Sequence, residues 1–443
     1  MSKPSLPPRN SSAASAALFE RALKVMPGGS TRSTLFFAPH PPYARSGAGT
    51  GVVDEDGLAY VDFANNFFSQ IHGNAHPEIV AAIAGAAASG VSFGLPTRWE
   101  VELAELLVAR VPAFEQVRFA NSGSEAVMTA LKAARAYSGR PGLAKIEGAY
   151  HGSYDHAEVS LDPKPESWGE ASDPARISYV AGAPQAVLDD TVVIPFNDAE
   201  AARRILAANA HRLAAVLFDP LPPRAGMVPA SVEFVAALVE TARAHGVLVV
   251  MDEVVSFRLS HGGAHPLWGI DPDLTALGKM IGGGLPVGAV AGRAEVMKVF
   301  DGRSGKAPLP HGGTFTANPL TMAAGLAALR LADAPAIERI NALGERLRAR
   351  VHAGARAAGL AIQVAGMGSL FRVHLTDRRI DGYRAAWLPP EEAARLAAVH
   401  RRLLAAGFLV TPNISGAIST PTTQAEVDAL ALALVEAVAA EAG

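Results

Sequence analysis

Gly246-Val-Leu-Val-Val-Met-Asp-Glu-Val254 is the stretch that decides the reading of this chain, together with Leu274-Thr-Ala-Leu-Gly278 and the Lys279 that follows it. The first reads as a buried parallel strand ending on an acid, Asp252. It is almost wholly apolar and rich in β-branched residues, the pattern of a strand covered on both faces. The second reads as another short buried strand, which runs through Lys279 into Gly282-Gly283-Gly284. A carboxylate and an amine at the carboxyl ends of two such strands sit where open α/β sheets take their ligands.

Around these two strands, helical and extended patterns take turns. Strand candidates are Gln116–Phe119, Leu143–Glu147, Ala214–Phe218, Val247–Met251, Leu274–Leu277 and Val287–Ala291. Helical periodicity lies between them at Ser124–Ala136, Ala199–Ala208 and Val232–His245. That alternation predicts an α/β fold: a mostly parallel central sheet with helices on both faces. Upstream, residues 18–27 predict a short amphipathic helix, and Asp56-Gly57 between two extended runs predicts a hairpin. Residues 1–17 read as a frayed tail and the polar run Ser160–Asp173 as an exposed loop. Beyond residue 328 the texture changes to a smaller α+β domain, with helices at Ala336–Ala358 and Pro390–Ala406. Its strands are expected at Leu360–Val364, Ser369–His374 and Phe408–Val410. The expected division is an N-terminal segment 1–70 belonging to the small domain, a large domain 71–328 and a C-terminal small domain 329–443.

Bulk properties narrow the function. The chain has 443 residues, 49% of them hydrophobic and 18% charged, enough core material for two domains. Its 39 basic residues against 42 acidic ones leave no basic stripe for nucleic acid. It has no cysteine, which excludes disulfides, thiolate metal sites and cysteine nucleophiles. That fits a reducing cytoplasm. No segment approaches the roughly 20 apolar residues of a membrane span. No metal is expected: His151 with His156, and His261 with His265, lack a third ligand and carboxylate neighbours.

Several further segments suit a phosphate and an aromatic ring. Asn121-Ser122-Gly123-Ser124-Glu125 follows a strand and opens a helix, where free N–H groups make an anion site. Ser122 and Glu125 also satisfy a capping box that needs no ligand. In Gly148-Ala-Tyr150-His151-Gly152, glycines flank an aromatic side chain able to lie on a heteroaromatic ring. His311-Gly-Gly-Thr314-Phe-Thr316 supplies glycines and hydroxyls for a second phosphate contact. Neither a P-loop, a G-x-G-x-x-G fingerprint nor a G-x-S-x-G elbow is present. With Asp252 and Lys279, these parts suit pyridoxal phosphate: the lysine forms a Schiff base with the aldehyde and the acid pairs with the pyridine nitrogen.

On these motifs (Asn121–Ala126, Tyr150-His151-Gly152, Asp252-Glu-Val254, Lys279 and Gly313-Thr314-Phe315) the chain resembles the class III aminotransferases of the fold-type I pyridoxal-phosphate enzymes. The resemblance implies that Lys279 is the Schiff-base lysine and that Asp252 pairs with the ring nitrogen. It implies that Ser122, Gly123 and Ser124 hold the phosphate, that Tyr150 and Val254 cover the two ring faces, and that His151 belongs to the same cofactor-binding set. Thr314 resembles the threonine that reaches the phosphate of a neighbouring subunit's cofactor, which implies a homodimer with shared sites. Asp219 in Phe218-Asp-Pro220 departs from the family's usual Glu-Pro.

The segment around Arg32 is similar to that of β-amino-acid aminotransferases, including β-phenylalanine aminotransferase. Arg32 is therefore the candidate anchor for a substrate carboxylate, with Phe36, Phe37, Phe67 and Phe68 as candidate pocket walls. Against that similarity, Thr411–Gly416 has no arginine. The expected reaction is transfer of an amino group from a β- or ω-type amino acid to a keto acid. Glutamate-1-semialdehyde 2,1-aminomutase shares the same motifs and is the alternative. A binding protein without catalysis is disfavoured by the presence of the lysine.

Overall fold

The computed structural model describes residues 12–441. The chain folds as two units. The larger holds Glu78–Glu338 and Arg378–Trp387; the smaller holds the chain up to Pro77, Arg339–Asp377 and the chain from Leu388 onward.

The larger unit is built on seven strands: β1 Gln116–Ala120, β2 Gly142–Ile146, β3 Thr191–Ile194, β4 Leu213–Phe218, β5 Leu248–Asp252, β6 Leu274–Gly278 and β7 Gly288–Gly292. Their order in the sheet is β1-β7-β6-β5-β4-β2-β3. Strand β7 runs antiparallel to both neighbours, while β6, β5, β4, β2 and β3 are successively parallel. Every residue of β2 to β7 is buried. Successive side chains point to opposite faces, so both faces of the sheet are covered, as parallel sheets require. The expected mostly parallel α/β sheet is therefore what the chain forms, with one antiparallel strand inserted.

Local chemistry sets the elements. The helix Val232–Ala244 starts on Ser231, whose hydroxyl accepts from Phe234 N at 3.1 Å, and stops before Gly246, whose φ of +63° suits a residue without Cβ. The run after it, Leu248–Asp252, is then delivered as a buried strand. Strand β3 lies outside the sequence-based expectations, although Thr191-Val-Val-Ile194 is entirely β-branched. So short a run leaves little room for a period to show. The run 160–173 is only partly the exposed loop expected. Ser160, Leu161 and Pro163 are buried, and Gly169–Glu170 pairs with Asp173–Pro174.

In the smaller unit, Ala44–Ala48, Gly51–Asp54 and Ala59–Asp62 form an antiparallel meander, joined by Phe408–Leu409 in parallel register at Val61. Segments from near both ends of the chain thus share one sheet. The Asp56-Gly57 turn forms as expected: Asp54 Oδ1 accepts from Asp56 N at 3.1 Å and Leu58 N at 2.8 Å. A second, antiparallel sheet contains Gln363–Ala365, Leu370–His374 and Ser415–Ala417. The N-terminal helix spans Ala13–Leu23 and so begins earlier than expected, inside the segment read as a frayed tail; residues 1–11 lie outside the described residues. Among the described residues, no single helix is long and apolar enough to cross a membrane.

Lys145 is the anomaly of the sheet. It lies in β2 with 1% exposure, and its Nζ donates to Ile146 O at 2.9 Å and Val159 O at 2.8 Å. Burial pulls its pKa down to about 7, with Glu147 opposing. Its protonated form is therefore disfavoured in the fold relative to the unfolded chain, whose lysine holds its proton to much higher pH. That cost is full below about pH 7 and fades as pH rises toward the unfolded value. Lys145→Met should raise the melting temperature most at about pH 6–7, and the gap to wild type should shrink toward about pH 10. Thermal unfolding across that range checks it.

Candidate active site

The site is assembled where β4, β5 and β6 end. Parallel register sets Asp252 opposite Ala276 of β6, so Lys279 follows one strand over. On the other side Met251 pairs with Phe218, which brings Asp219 alongside Asp252. Two carboxylates and one amine thus meet at the carboxyl edge of the sheet.

Asp252 is buried. Its Oδ1 accepts from Val254 N at 2.9 Å, and its Oδ2 lies 2.8 Å from His151 Nδ1. His151 is buried, and burial lowers its basicity against the pull of Asp252. A neutral imidazole donating Nδ1–H to Asp252 satisfies both facts. Its Nε2 is buried with no hydrogen-bond partner among the described residues. Lys279 stands at φ +50°, a left-handed conformation rare outside glycine and typical of functional positions. Burial lowers its pKa, while Asp252 and Asp219 oppose the shift. Asp219 goes the other way: burial, then the charge of Asp252, pushes its carboxyl well above the usual range. Leu221 N donates to its Oδ1 at 2.8 Å. Of the two carboxyls, Asp252 has two polar contacts through its side chain among the described residues and Asp219 one.

The second part of the site is the turn from β1 into the helix α1, Gly123–Ser138. Ser122 caps it, accepting from Glu125 N at 3.1 Å. Glu125 folds backward, its Oε2 accepting from Asn121 N at 2.7 Å, so its carboxylate is engaged by the backbone just before the helix. Ser124 Oγ accepts from Ser153 N at 3.1 Å. Both hydroxyls are thus fixed as acceptors and keep a proton to donate. Gly152, at φ +85°, has no room for more: a Cβ there would stand 2.3 Å from Ser124 Oγ. A Cβ on Gly123 would meet Val254 Cγ1 at 2.9 Å, and one on Gly278 would meet it at 3.3 Å. Val254 therefore sits against both glycines, between the helix start and the residue before Lys279. Tyr150 is 44% exposed on the same loop as His151.

The structure therefore brings Lys279, Asp252, Val254, Ser122, Gly123, Ser124, Tyr150 and His151 to one end of the sheet. Thr314 is exposed on a loop anchored by Asn121 Nδ2 to Thr316 Oγ1 at 3.3 Å. Arg32 belongs to the smaller unit. There it is exposed, donates Nη1–H to Asn66 Oδ1 at 2.9 Å and stands 5.0 Å above the Phe67 ring. The candidate pocket aromatics divide: Phe68 is buried, Phe37 packs edge-on to His400, and Phe36 is exposed and stacked on Phe19.

Two features escaped the sequence reading. Besides His151 on Asp252, His265 also has a carboxylate neighbour. Its Nδ1 lies 2.9 Å from Oε1 of the fully buried Glu253, which also accepts from Ala264 N and His265 N. Arg384 and Tyr383, far along the chain, close on Glu147 and Asp162. The only sequence signal for the first was an acid directly after Asp252, and for the second a charged pair, Lys145 and Glu147, in an otherwise apolar strand.

Chemically, this edge offers a capped helix start with free hydroxyl protons, an exposed tyrosine, a valine packed on two glycines, a buried carboxyl group and a buried amine of lowered basicity. Comparison with known proteins agrees. The aminotransferase class-III family model matches residues 39–418. The crystal structure of an omega-transaminase from Sphaerobacter thermophilus is 49% identical, covers 97% of this chain and 98% of its own, and superposes with a TM-score of 0.95. A β-phenylalanine aminotransferase from Variovorax paradoxus is 35% identical over 96% of this chain and 93% of its own, with a TM-score of 0.85. The glutamate-1-semialdehyde 2,1-aminomutase of Symbiobacterium thermophilum is 36% identical over 90% of this chain and 91% of its own. On the family model over residues 39–418 and on relatives matched over most of both chains, the chain belongs to the class III aminotransferase family.

Proposed function

We propose that this enzyme moves an amino group between a carboxylate-bearing β- or ω-amino acid and a keto acid, in two half-reactions on one cofactor. The observation that carries transfer, rather than an internal shift, is the likeness to the omega-transaminase over nearly the full length of both chains. The aminomutase relative, at 36% identity, keeps the second reading in play.

Pyridoxal phosphate is the cofactor, and when bound it supplies an electron-accepting ring. The residues present fit it. Backbone N–H groups and hydroxyls at Ser122, Gly123 and Ser124 hold the phosphate. Tyr150 and Val254 take the two ring faces. Asp252, steadied by His151, keeps the proton on the ring nitrogen. Lys279 is the attachment point, and when substrate amine takes its place it moves the proton at the amine-bearing carbon. Burial favours its neutral form, which is the form that accepts a proton. Thr314, exposed on its loop, reaches the neighbouring subunit's phosphate in a homodimer. A cytoplasmic location belongs to the same proposal and rests on the cysteine-free sequence.

Arg32 anchors the substrate carboxylate. What supports this is its own setting: its two partners, Asn66 and Phe67, lie in a run of four residues, Asn65 to Phe68, all at positive φ (46°, 47°, 53° and 72°). Such strain is held only where surrounding structure enforces it, and it clusters at functional positions. Asn65 Nδ2 to Ala417 O at 2.6 Å and Asn65 N to Asp62 Oδ1 at 2.8 Å do the enforcing.

Isotopically labelled amine should pass from one molecule to a different keto acid, and Lys279→Ala should abolish both that exchange and the borohydride-sensitive visible band. Isomerisation of a single compound without exchange would establish the aminomutase instead. Arg32→Ala should raise KM for carboxylated donors by about 10- to 100-fold, the loss of a charge-assisted fork of roughly 1.5–3 kcal/mol, with little change for amines lacking a carboxylate. Steady-state kinetics with matched donor pairs measures it.

A further inference from the structure

Residues 147–152 carry the tyrosine and histidine of the site, yet what holds this loop comes from a segment more than two hundred residues away. Arg378–Trp387 belongs to the larger unit. Within it, the Tyr383 ring lies against the backbone of Gly148. A Cβ at Gly148 would stand 2.1 Å from the ring, and Gly148 has φ +70°. The phenol hydroxyl is shared between Asp162 Oδ1 and Pro163 O, each at 2.9 Å.

Arg384 makes a planar fork on the buried Glu147: Nε donates to Oε2 at 2.9 Å and Nη2 to Oε1 at 3.0 Å. Its remaining N–H groups go to the carbonyls of Trp168 (2.8 Å), Gly169 (3.1 Å) and Glu170 (3.1 Å). The guanidinium stands 5.3 Å from the Trp168 ring, which meets Trp387 edge-on. Glu147 faces Lys145 on one side and Arg384 on the other; burial raises its pKa and both cations oppose that. Two adjacent residues, Glu147 and Gly148, are therefore pinned immediately before Ala149-Tyr150-His151.

We propose that Tyr383 and Arg384 are positioning residues for the cofactor loop: by fixing Glu147 and Gly148 they set the pitch of the Tyr150 ring and the seating of His151 on Asp252. Neither residue touches a reacting atom. A bidentate fork with three carbonyl contacts is a geometric device, since a surface ion pair needs only proximity. A buried carboxylate on this loop is tolerable because Arg384 meets it from outside the loop. The inference rests on the cofactor roles given above to Tyr150 and His151, and is independent of which amine is the donor.

The test uses full-length protein stripped of cofactor and titrated with pyridoxal phosphate, followed by its visible band. Arg384→Gln should weaken cofactor affinity by about tenfold or more, lower kcat more than it raises KM, and move the pH midpoint of the band. Arg384→Lys, which keeps the charge and loses the fork, should recover only part of this. Arg384→Gln with Glu147→Gln removes both partners of the ion pair and leaves no buried carboxylate unpaired, so it decides the matter if the single variant does not fold. A folded double variant that binds the cofactor within about twofold of wild type, with an unmoved band midpoint, overturns the proposal. Wild-type protein that binds no pyridoxal phosphate sinks this inference together with the cofactor assignment, whereas unchanged behaviour of the variants alone leaves that assignment standing.

Discussion

A carboxyl group buried at the end of a parallel strand is the constraint on which the rest of this site depends. Partners converge on Asp252: Val254 N, the His151 imidazole and the nearby Lys279 amine. Taking a carboxylate out of water costs several kcal/mol even after the protein relaxes, so it has to be met by polar groups. Each partner is therefore placed by something rigid. Val254 N comes from the turn out of the same strand, Lys279 from the next strand, and His151 from the loop after β2. The same crowding explains Asp219. Burial and the neighbouring Asp252 carboxyl together push the Asp219 carboxyl well above the usual range.

Charge then alternates outward from the site. Asp252 is followed by His151, whose proton affinity also feels Lys145; Lys145 feels Glu147; Glu147 is gripped by Arg384. None of these groups except Arg384 has much access to water. Neighbours of opposite charge favour each other's ionised form while burial opposes it, which is how a buried lysine with a pKa of about 7 and a buried glutamate coexist within three residues. The short loop after β2 has glycines at 148 and 152, each pressed against a neighbour that leaves no space for a Cβ.

Much of this was readable in advance because it is local. Strand, turn and helix-cap signals span only a few residues, and the sheet's strand candidates fall within a residue or two of those observed. The capped helix start at Ser122 to Glu125 was visible, and the Ser122 cap forms as expected. What the sequence could not carry was anything created by register. The pairing of Met251 with Phe218 brings Asp219 to Asp252, yet nothing in Phe218-Asp-Pro220 says which strand lies next door. Likewise nothing in Asp252-Glu-Val254 says that the fold returns His265 to Glu253.

By itself, then, the sequence determined the class of fold, the family and the kind of cofactor. Alternating apolar strands and amphipathic helices admit few packings, and an amine and an acid at strand ends admit few chemistries. Only the tertiary structure decided their electrostatic state and their supports. Proton affinity depends on burial and on neighbours contributed by other strands. The grip of Tyr383 and Arg384 on the loop joins residues too distant in sequence for any periodicity to link.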